Sequence, residues 1–301
     1  MNNQPTVSVV MATFNGERYI REQLDSIIGQ TYPIYELIIQ DDCSKDSTVS
    51  ICREYEQKYS FIHVYVNESN LGFVRNFEKA LKRSTGDYVA LSDQDDIWVS
   101  DHVRILLDSI GDCGMACGNS EFIDGEGKSL GLTLADCTVV DNTPGNLLKR
   151  ATSILYYGNS YQGASMLLRR EFLQMMLPFP KGITFHDEWA VLLACFTMGF
   201  RYADSILLYY RIHGNNATDP TKQKSRLGEW YNLGRHGLRV NRLPYLNGIV
   251  ERRQNLTVEQ RQLIDDSVKH FTKARGILRP LQKIRIWIYI TIHYKTIFYA
   301  K

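Results

Sequence analysis

The sequence predicts an α/β protein with a doubly wound, mostly parallel sheet and helices on both faces. Three observations lead to it. Short β-branched runs alternate with helix-period segments three times and then end in a fourth strand, all within residues 7–91. Three of these strands stop in polar clusters, at Thr13-Phe14-Asn15, at Asp41-Asp42 and at Asp93 to Asp96, where open α/β sheets bind ligands. The 301 residues, 44% hydrophobic and 23% charged, suffice for one large soluble domain and an appendage.

Taken in order, Val7 to Ala12 (VSVVMA) reads as a buried strand that ends at the turn signal Thr13-Phe14-Asn15-Gly16. A helix follows from Glu17, with Ile20, Leu24, Ile27 and Ile28 at helical spacing, and Pro33 lies beyond its end. Glu36 to Gln40 (ELIIQ) is the second strand. Asp46 or Ser47 can cap the next helix, which runs to Tyr59. Ile62 to Val66 is the third strand. Phe73 to Arg83 is a helix with Phe73, Phe77, Ala80 and Leu81 on one side. Asp87 to Leu91 is the fourth strand. Asp101 to Ile110 reads as a helix, and Asp124-Gly125-Glu126-Gly127 as a turn between two short strands. Residues 130–162 carry no decisive pattern and are expected to include a mobile loop. Gly163 to Leu168 reads as a strand, 186–199 as a helix, and Arg201 to Asp204 and Ile206 to Ile212 as two strands.

The stretch DYVALSDQDDIW, Asp87 to Trp98, runs an apolar strand into Asp93, Asp95 and Asp96. Three ionised carboxylates share so small a volume only with positive charge between them. A hard divalent cation, Mg²⁺ or Mn²⁺, takes such oxygen ligands and holds substrate phosphates. The competing reading is a solvated acidic loop. Farther on, His186, Asp187, Glu188 and Trp189 open a helix. A carboxylate there gains from the helix dipole; aimed into a cleft, it accepts a hydroxyl proton. His213 reads either as a third metal or phosphate ligand or as a hydrogen-bonded structural residue. Trp98 and Trp189 read either as platforms for sugar rings or as core.

Other classes are disfavoured. No G-x-G-x-x-G follows the first strand and no P-loop is present. The six cysteines are scattered, and Cys113 and Cys117 form a lone C-x-x-x-C, so zinc is not expected; free thiols in a reducing cytoplasm are. No run of 18 apolar residues occurs. The net charge of +2 is uneven: residues 222–301 hold 17 Lys and Arg against 5 Asp and Glu, leaving 18 against 28 in the rest. A basic tail of this kind faces an anionic surface; nucleic acid is not expected, because no nucleic-acid motif accompanies it.

Together TFNG, IIQDDCSKDST, NLGFVRNF, GDYVALSDQDDIW, HDEW and YYRIHGNNA, from Ser8 to Asn216, resemble the family 2 glycosyltransferases, and the SDQDDIW and HDEW forms resemble their rhamnosyltransferase-like branch. The resemblance implies a GT-A fold, a Rossmann-like, mostly parallel sheet over residues 1–220, with a basic, mainly helical C-terminal extension over 221–301. It implies an inverting transfer of a hexose from a nucleotide diphosphate sugar, dTDP-rhamnose or a UDP-hexose, to a saccharide acceptor, polyprenyl-diphosphate-linked, in bacterial surface polysaccharide synthesis. By the same resemblance Thr13, Asn15 and one of Asp41 or Asp42 hold the nucleobase and ribose, and Arg75 contacts the nucleotide. Asp93 and Asp95 form the DxD pair, Asp95 being the direct ligand of Mn²⁺ or Mg²⁺, with His213 assisting. Asp187 is the base, with Glu188 the alternative, and Gly163, Glu188 and Trp189 stand on the acceptor side. Cys43 replaces a glycine common after the Asp pair, and His186 replaces an acidic residue.

In the extension, Thr257-x-x-Gln260 is a capping box that starts a helix carrying Ile264, Val268 and Phe271 on one face, with Gly276 at its end. Lys283 to Lys301 alternates isoleucines with aromatics between basic ends. It reads as a helix at a membrane interface, against the alternative of a segment packed on protein. The expected place is the cytoplasm, peripheral on the inner face of the cell membrane. Two further readings compete: a nucleotidyltransferase, disfavoured because TFNGERY lacks a glycine-rich basic loop, and a non-catalytic nucleotide-sugar-binding protein derived from such an enzyme.

Overall fold

The computed structural model describes residues 4–137, 146–213, 241–252 and 256–273. Its strands are β1 Val7–Thr13, β2 Glu36–Asp41, β3 Ile62–Val66, β4 Tyr88–Ser92, β5 Ile97–Trp98, β6 Met115–Ile123, β7 Ser129–Thr133, β8 Leu167–Arg169 and β9 Phe200–Arg211. The helices are α1 Ile20–Ile28, α2 Thr48–Lys58, α3 Phe73–Arg83, α4 His102–Ile110, α5 Leu134–Cys137, α6 Leu147–Tyr157, α7 Arg170–Met176, α8 His186–Phe196, α9 Leu243–Arg252 and α10 Val258–Lys273.

One sheet runs in the order β3-β2-β1-β4-β8-β6-β9-β5, with β7 paired to β6 at the side. The half built from β3, β2, β1 and β4 is parallel throughout. In the other half β8 runs antiparallel to both β4 and β6, while β6 and β9 are parallel. The expected mostly parallel, doubly wound α/β sheet is therefore present, with β8 reversed in its middle and β5 and β7 reversed at its far side.

Strand side chains alternate between faces, so a strand buried on both sides reads as a continuous apolar run. Val9, Met11, Leu37, Ile39 and Ala90 pack with α1, α2 and α4 in one cluster. Val10, Ile38, Val89 and Leu91 pack with α3, α6, α7 and α8 in the other. The second cluster also takes Tyr245, Leu246 and Ile249 of α9 and Leu263, Ile264 and Phe271 of α10. The described part of the C-terminal extension thus shares the core of the sheet domain. Its capping box is formed: Gln260 Oε1 accepts from the Thr257 amide at 3.1 Å and Thr257 Oγ1 accepts from the Gln260 amide at 3.2 Å. The expected end of that helix at Gly276, the 220/221 boundary and the segment 283–301 lie outside the described residues.

Several expectations change. The helix expected from Glu17 is regular only from Ile20, because turns at 17–19 follow Gly16. The Asp46 carboxylate, not Ser47, meets the first amides of α2, accepting from the Thr48 amide at 3.0 Å. Gly163 to Leu168 is not one strand; Gly163–Ser165 is a 3-10 turn and the strand begins at Leu167. The two strands expected over 201–212 are one long β9, whose register against β6 shifts between Ala203 and Ile206. Within 130–162, where no pattern was legible, β7, α5 and α6 form, with α6 started by Asn146, whose side chain accepts from the Lys149 amide.

Candidate active site

The carboxyl ends of β1, β2 and β4 converge with the start of α8 on a cleft of about 390 Å³. That size suits a small ligand or one end of a larger one. Thr13, Asp42, Asp93, Asp95, Gly163 and Asp187 line it. Six of the residues singled out in the sequence, spread over 175 positions (13–187), are thus brought to one place.

On the β1–β2 side the polar groups are tied together. Thr13 Oγ1 donates to Asp41 Oδ2 at 2.8 Å, and the same carboxylate accepts from the Ser44 amide and hydroxyl. Asp41 is fully buried and does not reach the cleft. Asp42 accepts from Asn67 Nδ2 and the Leu71 and Gly72 amides, each at 2.8 Å. It holds the loop that leads into α3 and still lines the cleft. Asn15 adopts φ +50° and its Oδ1 accepts from the Lys45 amide; it buttresses this rim without lining the cleft. Arg75 does not line it either: its guanidinium pairs with Glu78 and approaches the Phe179 and Pro180 carbonyls at 3.4 Å.

On the opposite side the polar groups are crowded and under-partnered. Burial, with Asp95 and Asp187 nearby, pushes Asp93 up to about 7. Burial and its acidic neighbours push Asp96 well above the usual carboxylate range; its Oδ1 accepts from the Arg211 amide at 3.1 Å. Asp95 Oδ2 lies 2.9 Å from His213 Nε2. Burial, outweighing the hydrogen bonds from the Glu188 amide and the Asn159 side chain, pushes Asp187 up to about 7. Every residue of α8 except Asp187 is buried. A helix apolar all round is a core helix, and this one meets the cleft only at its first turn.

That geometry separates Asp187 from Glu188. Glu188 is 1% exposed and forms a buried ion pair with Arg242, which is also 1% exposed. A carboxylate so enclosed is a structural group; Glu188 does not stand on the acceptor side. Trp189 does not either, being fully buried with its indole N–H donating to the Met176 carbonyl at 3.0 Å. Trp98 lies in the core, 3% exposed and stacked face to face on His102 at 3.8 Å.

Sequence reasoning passed over several contributors. Gln94 clasps the first turn, its Oε1 accepting from the Phe14 amide at 2.9 Å and its Nε2 donating to the Phe14 carbonyl at 3.1 Å. A Cβ at Gly16 would stand 2.2 Å from Gln94 Oε1, so a side chain there would displace this clasp. Arg211, within the motif YYRIHG, donates to the Asp95 and Gly125 carbonyls and to Glu22. It ties β9 to the acidic turn. Phe14 and Phe73 present half-exposed rings to the cleft. The signal for these residues was their adjacency to the motifs already marked.

The donor set of Asp93, Asp95 and His213 is oxygen and imidazole, and its two carboxylates suit Mn²⁺ or Mg²⁺. Among the described residues no three acidic, His or Cys side chains form a ready cation cage. Asp93, raised first by burial and then by the charges of Asp95 and Asp187, nevertheless sits where a cation would relieve repulsion, and Mg²⁺ commonly binds through one or two carboxylates completed by substrate phosphates. No helix among the described residues is long and apolar enough to cross a membrane.

The family model for glycosyl transferase family 2 matches residues 8–176. Over 238 residues the chain is 29% identical to TuaG of Bacillus subtilis (strain 168), whose name assigns it provisionally to teichuronic acid biosynthesis as a glycosyltransferase; the match covers 76% of this chain and 88% of TuaG. Over 105 residues it is 39% identical to the dTDP-rhamnosyl transferase RfbG of Shigella flexneri, covering 33% of this chain and 36% of RfbG. The crystal structure of S. aureus TarS 1–349 in complex with UDP is similar at TM-score 0.58 and 19% identity, covering 89% of this chain and 72% of that one. The mannosyltransferase PcManGT from Pyrobaculum calidifontis, in complex with GDP-Man and Mn²⁺, is similar at TM-score 0.54 and 16% identity, covering 97% of this chain and 76% of that one. These structural likenesses speak for the GT-A fold. The chain belongs to glycosyl transferase family 2 and is a glycosyltransferase.

Proposed function

We propose that the chain is an inverting hexosyltransferase that moves a hexose from a nucleotide diphosphate sugar, dTDP-rhamnose or a UDP-hexose, to a saccharide acceptor carried on polyprenyl diphosphate, in bacterial surface polysaccharide synthesis. The observation that carries this reading is that Asp187, the one residue of an otherwise buried helix that is only partly buried, lines the cleft that also holds Asp93 and Asp95. A carboxyl pushed up to about 7 is matched to general-base work near neutral pH. The relatives TuaG and RfbG and the nucleotide-bound neighbours support the substrate class.

In this reading the acceptor hydroxyl attacks the anomeric carbon from the face opposite the diphosphate. Its proton passes to Asp187 as the new C–O bond forms. The bond to the leaving diphosphate breaks with its electron pair on the diphosphate oxygen, and the anomeric configuration inverts, as in one-step glycoside chemistry. Thr13 and Asp42 contact the nucleotide, within a rim kept in shape by Asn15 and Asp41. Phe14 and Phe73 offer ring faces to its base, a contact worth about 1–3 kcal/mol. Asp95, with Asp93 and His213, would hold Mn²⁺ or Mg²⁺, which when bound offsets the charge of the diphosphate. Residues 1–220 carry this site, the described part of the extension braces it, and the basic extension 221–301 meets the anionic inner face of the cell membrane.

The test is a thermal-shift panel of UDP and dTDP with Mn²⁺, with Mg²⁺ and with chelator. A ligand at a hundredfold excess over its Kd stabilises the native state by about 2.7 kcal/mol. A metal-dependent shift with one of the two, lost in Asp95→Ala, is expected. Absence of any shift with metal present would overturn the donor site. Binding without slow donor hydrolysis would mark the non-catalytic binder instead.

A further inference from the structure

The buried ion pair of Arg242 with Glu188 is a poor source of stability. Desolvation offsets most of such an attraction, and apolar residues of like volume often serve as well. This pair therefore asks for another reason, and the contacts around it supply one. They run without a break from α9 to the carboxylate of Asp187. Arg242 starts α9, its carbonyl accepting from the Tyr245 and Leu246 amides at 3.1 and 3.2 Å. Its guanidinium holds the Glu188 side chain. The Glu188 amide in turn donates to Asp187 Oδ1 at 2.7 Å, so the anchored residue is the one whose backbone orients the carboxylate. Tyr245, fully buried, accepts at its hydroxyl from the Thr184 and Phe185 amides at 2.9 Å each. The Phe185 carbonyl then takes the first helical bond of α8, from the Trp189 amide at 3.3 Å. A Cβ at Gly248 would stand 2.5 Å from Pro180 Cγ and 3.0 Å from Trp189 Cη2, so α9 lies close against this turn.

We propose that Arg242 and Tyr245 are positioning residues for the transfer, and that α9 through them sets the orientation in which Asp187 meets the acceptor hydroxyl. The proposal rests on the reading of Asp187 as the base of a nucleotide-sugar-dependent transferase. Neither residue lines the cleft; both act through Glu188 and the start of α8, not on substrate. A charge-assisted hydrogen bond fixes direction as well as distance. Apolar packing of the same volume fills the space and leaves the direction free. The pair is thus kept for precision at Asp187, where a displacement of about 1 Å costs on the order of a hundredfold in rate. The described part of the extension is by this account a working part of the active site and more than an appendage to it.

The test replaces the pair, in the full chain, by apolar residues of similar size, Glu188→Leu together with Arg242→Met, with Asp187→Asn as the control. A merely structural pair would let this double variant keep both its Tm and its turnover. The proposal expects Tm to hold, the Mn²⁺-dependent shift with UDP or dTDP to remain and KM for the sugar nucleotide to stay unchanged. Only kcat for hydrolysis, probed with UDP-glucose and dTDP-rhamnose, should fall, on the order of tenfold to a hundredfold. Tyr245→Phe, which removes one hydroxyl and keeps the ring, should give the same split between kcat and KM. Arg242→Lys, which keeps a cation opposite Glu188, should recover most of kcat. An unchanged kcat in the double variant, or in Tyr245→Phe should the double variant fail to fold, would overturn the proposal while Asp187→Asn remained inactive. So would kcat and KM worsening together, which marks a loosened cleft. Full activity of Asp187→Asn, or no hydrolysis by the unsubstituted chain, would overturn the underlying reading instead.

Discussion

The two rims of the cleft are built from similar residues and treat them in opposite ways. On the β1–β2 rim Asp41 and Asp42 each accept three hydrogen bonds. Their charge is consumed in holding the turn and the loop in place. On the β4–α8 rim, Asp93 and Asp187 are both pushed up to about 7 and His186 keeps two unpartnered nitrogens. An unsatisfied buried group is a cost to folding and a capacity for binding. In the proposed function the first rim is therefore scaffold for a ligand, and the second handles ligand charge and protons.

The largest effect expected of this division falls on turnover. Asp187→Asn preserves shape but takes no proton, and general-base catalysis supplies about 10²–10⁴-fold. Steady-state kinetics should show kcat lower by that factor with nucleotide binding intact; loss of binding together with turnover would place Asp187 on the scaffold side. The next effect falls on stability. Asp42→Ala leaves the Leu71 amide without an acceptor, while Asn67 Nδ2 keeps Asn76 Oδ1 and the Gly72 amide keeps Asn70 Oδ1. It should cost about 1–3 kcal/mol in denaturant unfolding. Asp93→Asn, on the other rim, should be neutral or stabilising at pH 7.5 without metal, because it removes a repelled charge. Equal losses in the two variants would erase the contrast.

A pH profile sharpens the same contrast. With Asp187 raised to about 7, log kcat/KM should fall with unit slope, tenfold per pH unit, below about 7. Stability runs the other way. The folded protein holds this proton more tightly than the unfolded chain does, so the stabilisation is complete below about 4 and is lost as pH rises through about 7. A kinetic profile flat down to pH 5 would return Asp187 to the ordinary carboxylate range and make the two rims alike.

How much of this was legible depended on whether the signal was local. The strands β1 to β3 and the helical face of α3 were read within a residue or so of their bounds: burial on both faces leaves β1 and β2 nearly continuous apolar runs, β3 alternates Ile62, Val64 and Val66 with His63 and Tyr65, and α3 carries its apolar residues at helical spacing. Asp93, Asp95 and Asp187 stood out because charge at the end of an apolar strand or helix is a local anomaly. Trp98 and Trp189 were ambiguous for the same reason: an aromatic next to a motif looks alike whether it faces the cleft or the core. The choice between Asp187 and Glu188 turned on Arg242, 54 positions beyond Glu188 in the chain, and no spacing rule connects them. Tyr245 adds to that strut, its hydroxyl accepting from the Thr184 and Phe185 amides at 2.9 Å just before α8. A basic tail suggested a surface; its described part braces the helix that bears Asp187.

The smallest effect expected lies on the scaffold rim, at Cys43, where the family resemblance leads one to expect glycine. Its backbone sits at φ +67°, so the turn keeps the left-handed form that glycine would adopt freely. That conformation costs a non-glycine residue about 1–2 kcal/mol, and glycine would return about 0.5–1 kcal/mol of it through the greater entropy of its unfolded chain. The thiol's own contacts, 3.2 Å from Lys45 Nζ and 3.7 Å from the Glu68 carbonyl, are weak compensation. Cys43→Gly should therefore raise stability by about 0.5 kcal/mol, read as a small increase in denaturant midpoint at constant m, with the nucleotide shift unchanged. Asn15, at φ +50° on the same rim, offers no such gain, because asparagine tolerates that region and its side chain caps the Lys45 amide. Stabilisation accompanied by weaker nucleotide binding would mean that the strain at Cys43 shapes the site, and the β1–β2 rim would then be more than scaffold.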